Sequence, residues 1–189
     1  MKKSLMIVAT VVMLAGLAGS AMAANSLAQG SKAISVGVGD SYFVHSLAPL
    51  SDVYVNNVVD ISGRLFLAKD VALYGGFGLQ LNSGDWDGTY FSFCVGARKY
   101  LSVNDFAPFV GGQLSYTTVS ADGPTGARIA DATVFDLAAL FGAEYFFSKN
   151  FSVEGAIGLG LGQVSDDITN NDTTYLGTRT VGVHVNFYF

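Results

Sequence analysis

Alternate residues of the closing stretch TVGVHVNFYF, Thr180–Phe189, are apolar: Val181, Val183, Val185, Phe187 and Phe189 are separated by Gly182, His184, Asn186 and Tyr188. A period of two marks an extended strand with two unlike faces. The same alternation recurs along the chain after residue 23. It predicts strands near Lys32–Gly39, Val58–Leu67, Val71–Asn82, Thr89–Leu101, Ala107–Val119, Thr133–Phe146, Phe151–Val164 and Tyr175–Phe189. Connections alternate in length. Ala68–Asp70, Ser102–Asp105 and Phe147–Asn150 are tight, whereas Asp40–Asn57, Ser83–Gly88, Ser120–Asp131 and Ser165–Thr174 are mostly longer. One end of the strand array should therefore carry turns and the other loops. Three hairpins also share a loose pattern: GRLFLAKDVALYGG, GARKYLSVNDFAPFVGG and GAEYFFSKNFSVEGAIG each run from Gly through an aromatic to an Asp or Asn turn and back toward Gly.

The two faces differ in kind. One carries Leu73, Phe77, Leu79, Phe91, Phe93, Phe135, Leu137, Phe141, Leu159 and Leu161; the other carries Tyr74, Gly76, Gly78, Ser92, Cys94, Gly96, Asp136, Ala138, Gly142, Gly158 and Gly160. A soluble barrel would crowd the bulky face into its lumen and show water a glycine-rich face with few charges. Turning the barrel inside out removes both difficulties: bulky groups face lipid, and small ones fill a narrow eight-strand lumen. Closure pairs every backbone group, which hydrocarbon requires. The pattern thus predicts an all-β fold, an eight-stranded antiparallel up-and-down transmembrane barrel. Tyr100, Tyr145, Phe146, Phe147, Phe187 and Phe189, near strand ends, are expected in an interfacial aromatic girdle.

Before residue 24 the pattern changes. Lys2 and Lys3 precede an apolar run, Leu5–Leu17, then small residues and the A-x-A signal Ala21-Met22-Ala23. These are the parts of a secretory signal peptide. The expected division is therefore residues 1–23 as a cleaved leader and residues 24–189 as the barrel. Loss of Lys2 and Lys3 takes the formal net charge from −5 to −7, which gives nucleic-acid binding no electrostatic support. The single cysteine, Cys94, excludes an intramolecular disulfide.

The only glutamates, Glu144 and Glu154, fall on the inward face, as do Arg64, Arg98 and His184. Each lies a few residues from a tight turn or from Phe189, so the five are expected at a similar height in the lumen. Unpaired charge there is costly. A paired plug that fixes register, and a gate opened by re-pairing, are both compatible with this cluster. Asp60 and Asp136 are expected nearer the loops and hydrated.

The alternation ending in Phe187 and Phe189 resembles the terminal strand of the small outer-membrane β-barrel family, which includes the OmpA transmembrane domain, OmpX and opacity-type proteins. The resemblance implies residence in the bacterial outer membrane among lipid and lipopolysaccharide. It also implies recognition of Phe187 and Phe189 by the barrel-assembly machinery. A structural or surface-interaction role of the adhesion type follows, with a host or envelope partner met through the loops; the acidic loops containing Asp122, Asp131, Asp166, Asp167 and Asp172 suit cationic partners or divalent ions. A small channel for ions or hydrophobic solutes, porin-like or OmpW-like, is the alternative, kept open by the apolar first loop. A lipid-A-modifying enzyme would need Ser and His together near the outer leaflet. His45 stands beside Ser46 with no evident acid partner, and His184 lies toward the other end. No catalytic, cofactor or metal site is expected.

Overall fold

In the computed structural model, which describes residues 27–38, 59–84 and 87–189, the chain forms a single closed antiparallel barrel. Its strands are β1 (Lys32–Val38), β2 (Val59–Ala68), β3 (Val71–Asn82), β4 (Asp87–Tyr100), β5 (Phe106–Asp122), β6 (Arg128–Ser148), β7 (Phe151–Asp166) and β8 (Asn171–Tyr188). Each pairs with its sequence neighbours, and β8 closes on β1 from Ala33↔Tyr188 to Val38↔Val183. The ring has the predicted order and up-and-down connectivity. The leader with Ala21 and Ala23, and the first loop with His45, lie outside the described residues.

The side chains sort as an inside-out barrel. Phe77, Leu79, Phe93, Phe135, Leu137, Phe141, Leu159 and Leu161 are each about half exposed on the outer surface, although together they form a continuous apolar wall. Inward positions are buried and mostly small or polar. Water is a poor solvent for such an exterior, and hydrocarbon a good one. The limits of the apolar wall can be read along rows of paired residues. On one side Tyr116 and Phe135 give way to Thr118 and Thr133 on β5 and β6, while Leu79 and Phe91 carry the wall one row further on β3 and β4. On the other, Tyr145, Phe147 and Phe187 form a collar beside the tight turns. Along β6 the path from Phe135 to Phe147, at ~3.4 Å per residue and a tilt of ~40°, rises about 30 Å, close to the thickness of a bilayer's hydrocarbon core.

Two expectations are corrected beyond that limit. The stretches Ser120–Asp131 and Ser165–Thr174 are not long loops. The β5–β6 ladder continues to Asp122↔Arg128, and the β7–β8 ladder to Asp166↔Asn171. Above the apolar wall the alternation of β5 and β6 inverts: Val119, Ala121, Ala130 and Ala132 are buried inward while Thr118, Ser120, Asp131 and Thr133 lie on the outer face, so the lipid-facing signal ends while the hydrogen-bond ladder persists. The tips are tight: Gly123 N–H donates to Ala127 O at 2.9 Å, and Asp166 Oδ1 accepts from Ile168 N–H at 2.9 Å. Asn170 takes a left-handed φ of 53°, a conformation that Asn tolerates.

The girdle and the last strand also need correction. Tyr145, Phe147, Phe187 and Phe189 face outward, but Tyr100 and Phe146 are buried in the lumen. The alternation of β8 is not one phase throughout. Gly155 pairs with Val183 and Ile157 with Thr180, so two β8 residues oppose Ala156 alone, and Gly182 takes φ 58°. This bulge sets Tyr175 inward above it and His184, Asn186 and Tyr188 inward below it.

Candidate functional site

The inward face near the turns is built from long side chains on five strands. Glu144 on β6 and Glu154 on β7 are directly opposed across the ladder. Two like charges in that arrangement repel. The guanidinium of Arg64, from β2 across the barrel, reconciles them: Nη1 donates to Glu144 Oε2 at 2.9 Å and Nη2 to Glu154 Oε2 at 2.7 Å. Arg98 on β4 donates from Nη1 to the same Glu154 oxygen at 2.7 Å. Its guanidinium also lies against the rings of Tyr74 and Phe109, 4.5 and 4.3 Å from their centroids. Removed from water, the charges are held by one another and by aromatic faces.

Neutral groups complete the coordination. Tyr100 and Tyr188 hydroxyls each accept from Arg64 at 2.9 Å and donate to Glu144 at 2.6 Å. The Tyr188 reach is possible because its β1 neighbour, which also pairs with Arg64, is the small Ala33. Ser152 donates to Glu144 Oε1, and Asn186 Nδ2 donates to Glu144 Oε1 at 3.0 Å. Glu144 is completely buried, yet it accepts from four residues besides Arg64's charge-assisted bond.

Below this layer lies an apolar floor. Phe66 stacks on Tyr100 at 5.6 Å between centroids, Tyr100 meets Phe109 at 5.6 Å, and Phe146 meets Tyr188 at 5.3 Å. Leu27, just before β1, is buried in the same cluster. The turn that carries it is tied to β2, with Gly30 N–H donating to Phe66 O at 2.9 Å and Phe66 N–H to Ser31 O at 3.0 Å. A signal for most of this floor was present in the sequence: Phe66, Tyr100, Phe146 and Tyr188 each sit two or four residues from an inward charged residue and share its parity. Leu27 lies outside every strand and gave no such signal.

Of the five predicted lumen residues, Arg64, Arg98, Glu144 and Glu154 come together. His184 is adjacent to Glu154 in register but makes its short contact elsewhere, Nε2 to Asp60 Oδ2 at 2.9 Å. Asp60 is therefore paired rather than simply hydrated. The two meet across Gly37, which pairs with both. A Cβ on Gly37 would lie 2.0 Å from Asp60 Oδ1 and 2.3 Å from His184 Cδ2, so only glycine admits the contact. Asp136 is buried too; its Oδ2 accepts from Tyr175 at 2.8 Å. Among the described residues no group of three or more His, Cys, Asp or Glu side chains is arranged to hold a metal ion.

No protein-family profile and no curated protein matches the chain by sequence. Solved structures do resemble it. The N-terminal β-barrel domain of Pseudomonas aeruginosa OprF is similar with a TM-score of 0.52 at 20% identity, over 85% of this chain and 98% of that one. Ail, the attachment invasion locus protein of Yersinia pestis, gives 0.49 at 15% identity over 85% and 99%. Neisserial surface protein A gives 0.45 at 15% identity over 84% and 94%. At these identities the likeness concerns the fold, which is that of the small eight-stranded outer-membrane barrels.

Proposed function

We propose that this chain, having the fold of the small outer-membrane barrels, is an integral outer-membrane protein whose lumen is closed and whose role is structural or surface-interactive. The reading places the tight turns in the periplasm and the β5–β6 and β7–β8 tips outside the cell, as barrels of this kind are oriented. Phe187 and Phe189 then stand in the outward collar where assembly factors would read the final strand.

One observation carries the closed lumen: Arg64 joins Glu144 to Glu154 across the barrel directly above the floor formed by Phe66, Tyr100, Phe109, Phe146 and Tyr188. An ion passing that level would have to displace several charge-assisted hydrogen bonds in a low-dielectric site. A channel is the competing reading, and planar-bilayer recording separates the two. The purified barrel should show no steady single-channel conductance, and Arg64→Ala should introduce one. Steady conductance in the unaltered protein would establish the channel instead.

The surface role rests on the rim. Asp87, Asp122, Asp131, Asp166, Asp167 and Asp172 lie at the loop end, where Arg128 bridges Asp122 and Asp131 at 2.6 Å each. Such a rim suits a cationic partner. Replacing Asp166, Asp167 and Asp172 by Asn should weaken retention of intact cells on a polycationic surface; unchanged retention would remove the electrostatic basis for that role.

A further inference from the structure

Charge is distributed unevenly along the barrel axis. Four lysines follow residue 23: Lys32, Lys69, Lys99 and Lys149. All four lie at the turn end. Lys32 opens β1, Lys69 and Lys149 occupy the β2–β3 and β6–β7 turns, and Lys99 is next to last in β4. Each is exposed. Among the described residues two acidic side chains share that end. Asp70 pairs with Lys99 at 3.2 Å, an exposed contact that water screens, and Asp105 lies in the β4–β5 turn. The six rim aspartates are at the opposite end. Of the three arginines whose side chains the structure describes, Arg64 and Arg98 are held inside the lumen and Arg128 at the rim.

Immediately beside the lysines runs the outward collar of Leu101, Phe106, Tyr145, Phe147, Phe151 and Phe187. Phe147 meets Phe151 at 5.7 Å between centroids, and Phe151 meets Phe187 at 5.4 Å. Aromatic rings at that height mark the boundary between acyl chains and headgroups. Lysine stems lying along such a collar deliver their ammonium groups into the headgroup layer.

We propose that the turn end is a binding surface for anionic phospholipid headgroups, so that the barrel selects net-negative lipids over zwitterionic ones in the leaflet its turns meet. The charge sign supports lipid phosphate here and opposes it at the acidic rim. The arrangement also fixes orientation: the lysine end stays with the phospholipid leaflet, and the aspartate end faces away from it. The inference rests on the barrel being lipid-embedded and is independent of whether the lumen conducts.

The test uses folded barrel, recognised by its heat-modifiable gel mobility, in bilayers of phosphatidylcholine alone or mixed with phosphatidylglycerol. Spin-labelled versions of each lipid report which is held at the protein surface. Wild type should prefer phosphatidylglycerol by about 3- to 10-fold, since a lysine near an anionic surface is worth on the order of a fivefold change before screening. The preference should vanish in high salt and in the variant K32Q/K69Q/K99Q/K149Q. Equal association of the two lipids with wild type, or a preference that the variant retains, overturns the proposal while leaving the membrane barrel intact. Failure of wild type to fold in either bilayer removes the membrane reading and this proposal with it.

Discussion

The two halves of the lumen solve the same problem differently. Near the turns, long side chains from β2, β4, β6, β7 and β8 meet across the barrel, and every carboxylate there is shared among several donors. Nearer the rim the links are fewer and neutral donors replace guanidinium groups: Asp136 accepts from Tyr175 at 2.8 Å and from Ser115 at 3.5 Å, while Tyr74 joins the two halves, its hydroxyl donating to Gln113 at 2.9 Å and its ring lying against Arg98. Neighbouring glycines make room for these rings, as at Gly162, whose Cβ would lie 2.2 Å from the Tyr175 hydroxyl. A charge network should fail cooperatively when one member is lost; a half held by neutral donors should lose less with each contact removed.

That contrast predicts a graded series of stabilities, measured as urea midpoints of the barrel folded in lipid vesicles. Arg64→Ala leaves Glu144 and Glu154 opposed and buried, and should cost about 3–5 kcal/mol. Removing Arg98 and Glu154 together should cost less than the two single losses added, because each single change strands a charge that the double change does not. Gly37→Ala forces Asp60 and His184 apart in the layer between the halves and should cost about 1–3 kcal/mol. Tyr175→Phe deletes one hydrogen bond in the upper half, at about 1 kcal/mol. Arg128→Ala removes only two exposed rim ion pairs, to Asp122 and Asp131, and should fall under about 1 kcal/mol. A Tyr175→Phe effect as large as that of Arg64→Ala would erase the distinction between the halves.

Much of the lower half was legible in the sequence because β-strand parity is strict. Once Phe77 and Phe93 are assigned to lipid, Arg64, Arg98, Glu144 and Glu154 must point inward, and tight turns at fixed distances place them at one level. Parity alone misses what depends on reach and phase. Tyr100 and Phe146 resembled girdle residues because strand-end aromatics usually are, yet each shares parity with a neighbouring charge. Gly182 shifts the phase of β8 through a bulge, so uninterrupted alternation in the letters conceals a change of face. The His184–Asp60 pair depends on a missing Cβ at Gly37 on the intervening strand, which no reading of either strand alone reveals. The upper ladders resemble loops in the sequence because their outward positions turn polar and small apolar residues such as Ala121, Ala130 and Ala132 move to the inward face, not because pairing stops.

The central claim is the reversed polarity of the wall, and adjacent residues on β3 test it at one depth. Leu73 is outward and Tyr74 inward. With the chain's one tryptophan, Trp86, replaced by Phe, single tryptophans are placed by Leu73→Trp and Tyr74→Trp, and each barrel is folded into bilayers whose acyl chains carry bromine. Fluorescence of the Leu73→Trp protein should be strongly quenched and that of Tyr74→Trp nearly untouched. Quenching confined to Tyr74→Trp, or equal in both, would contradict the account.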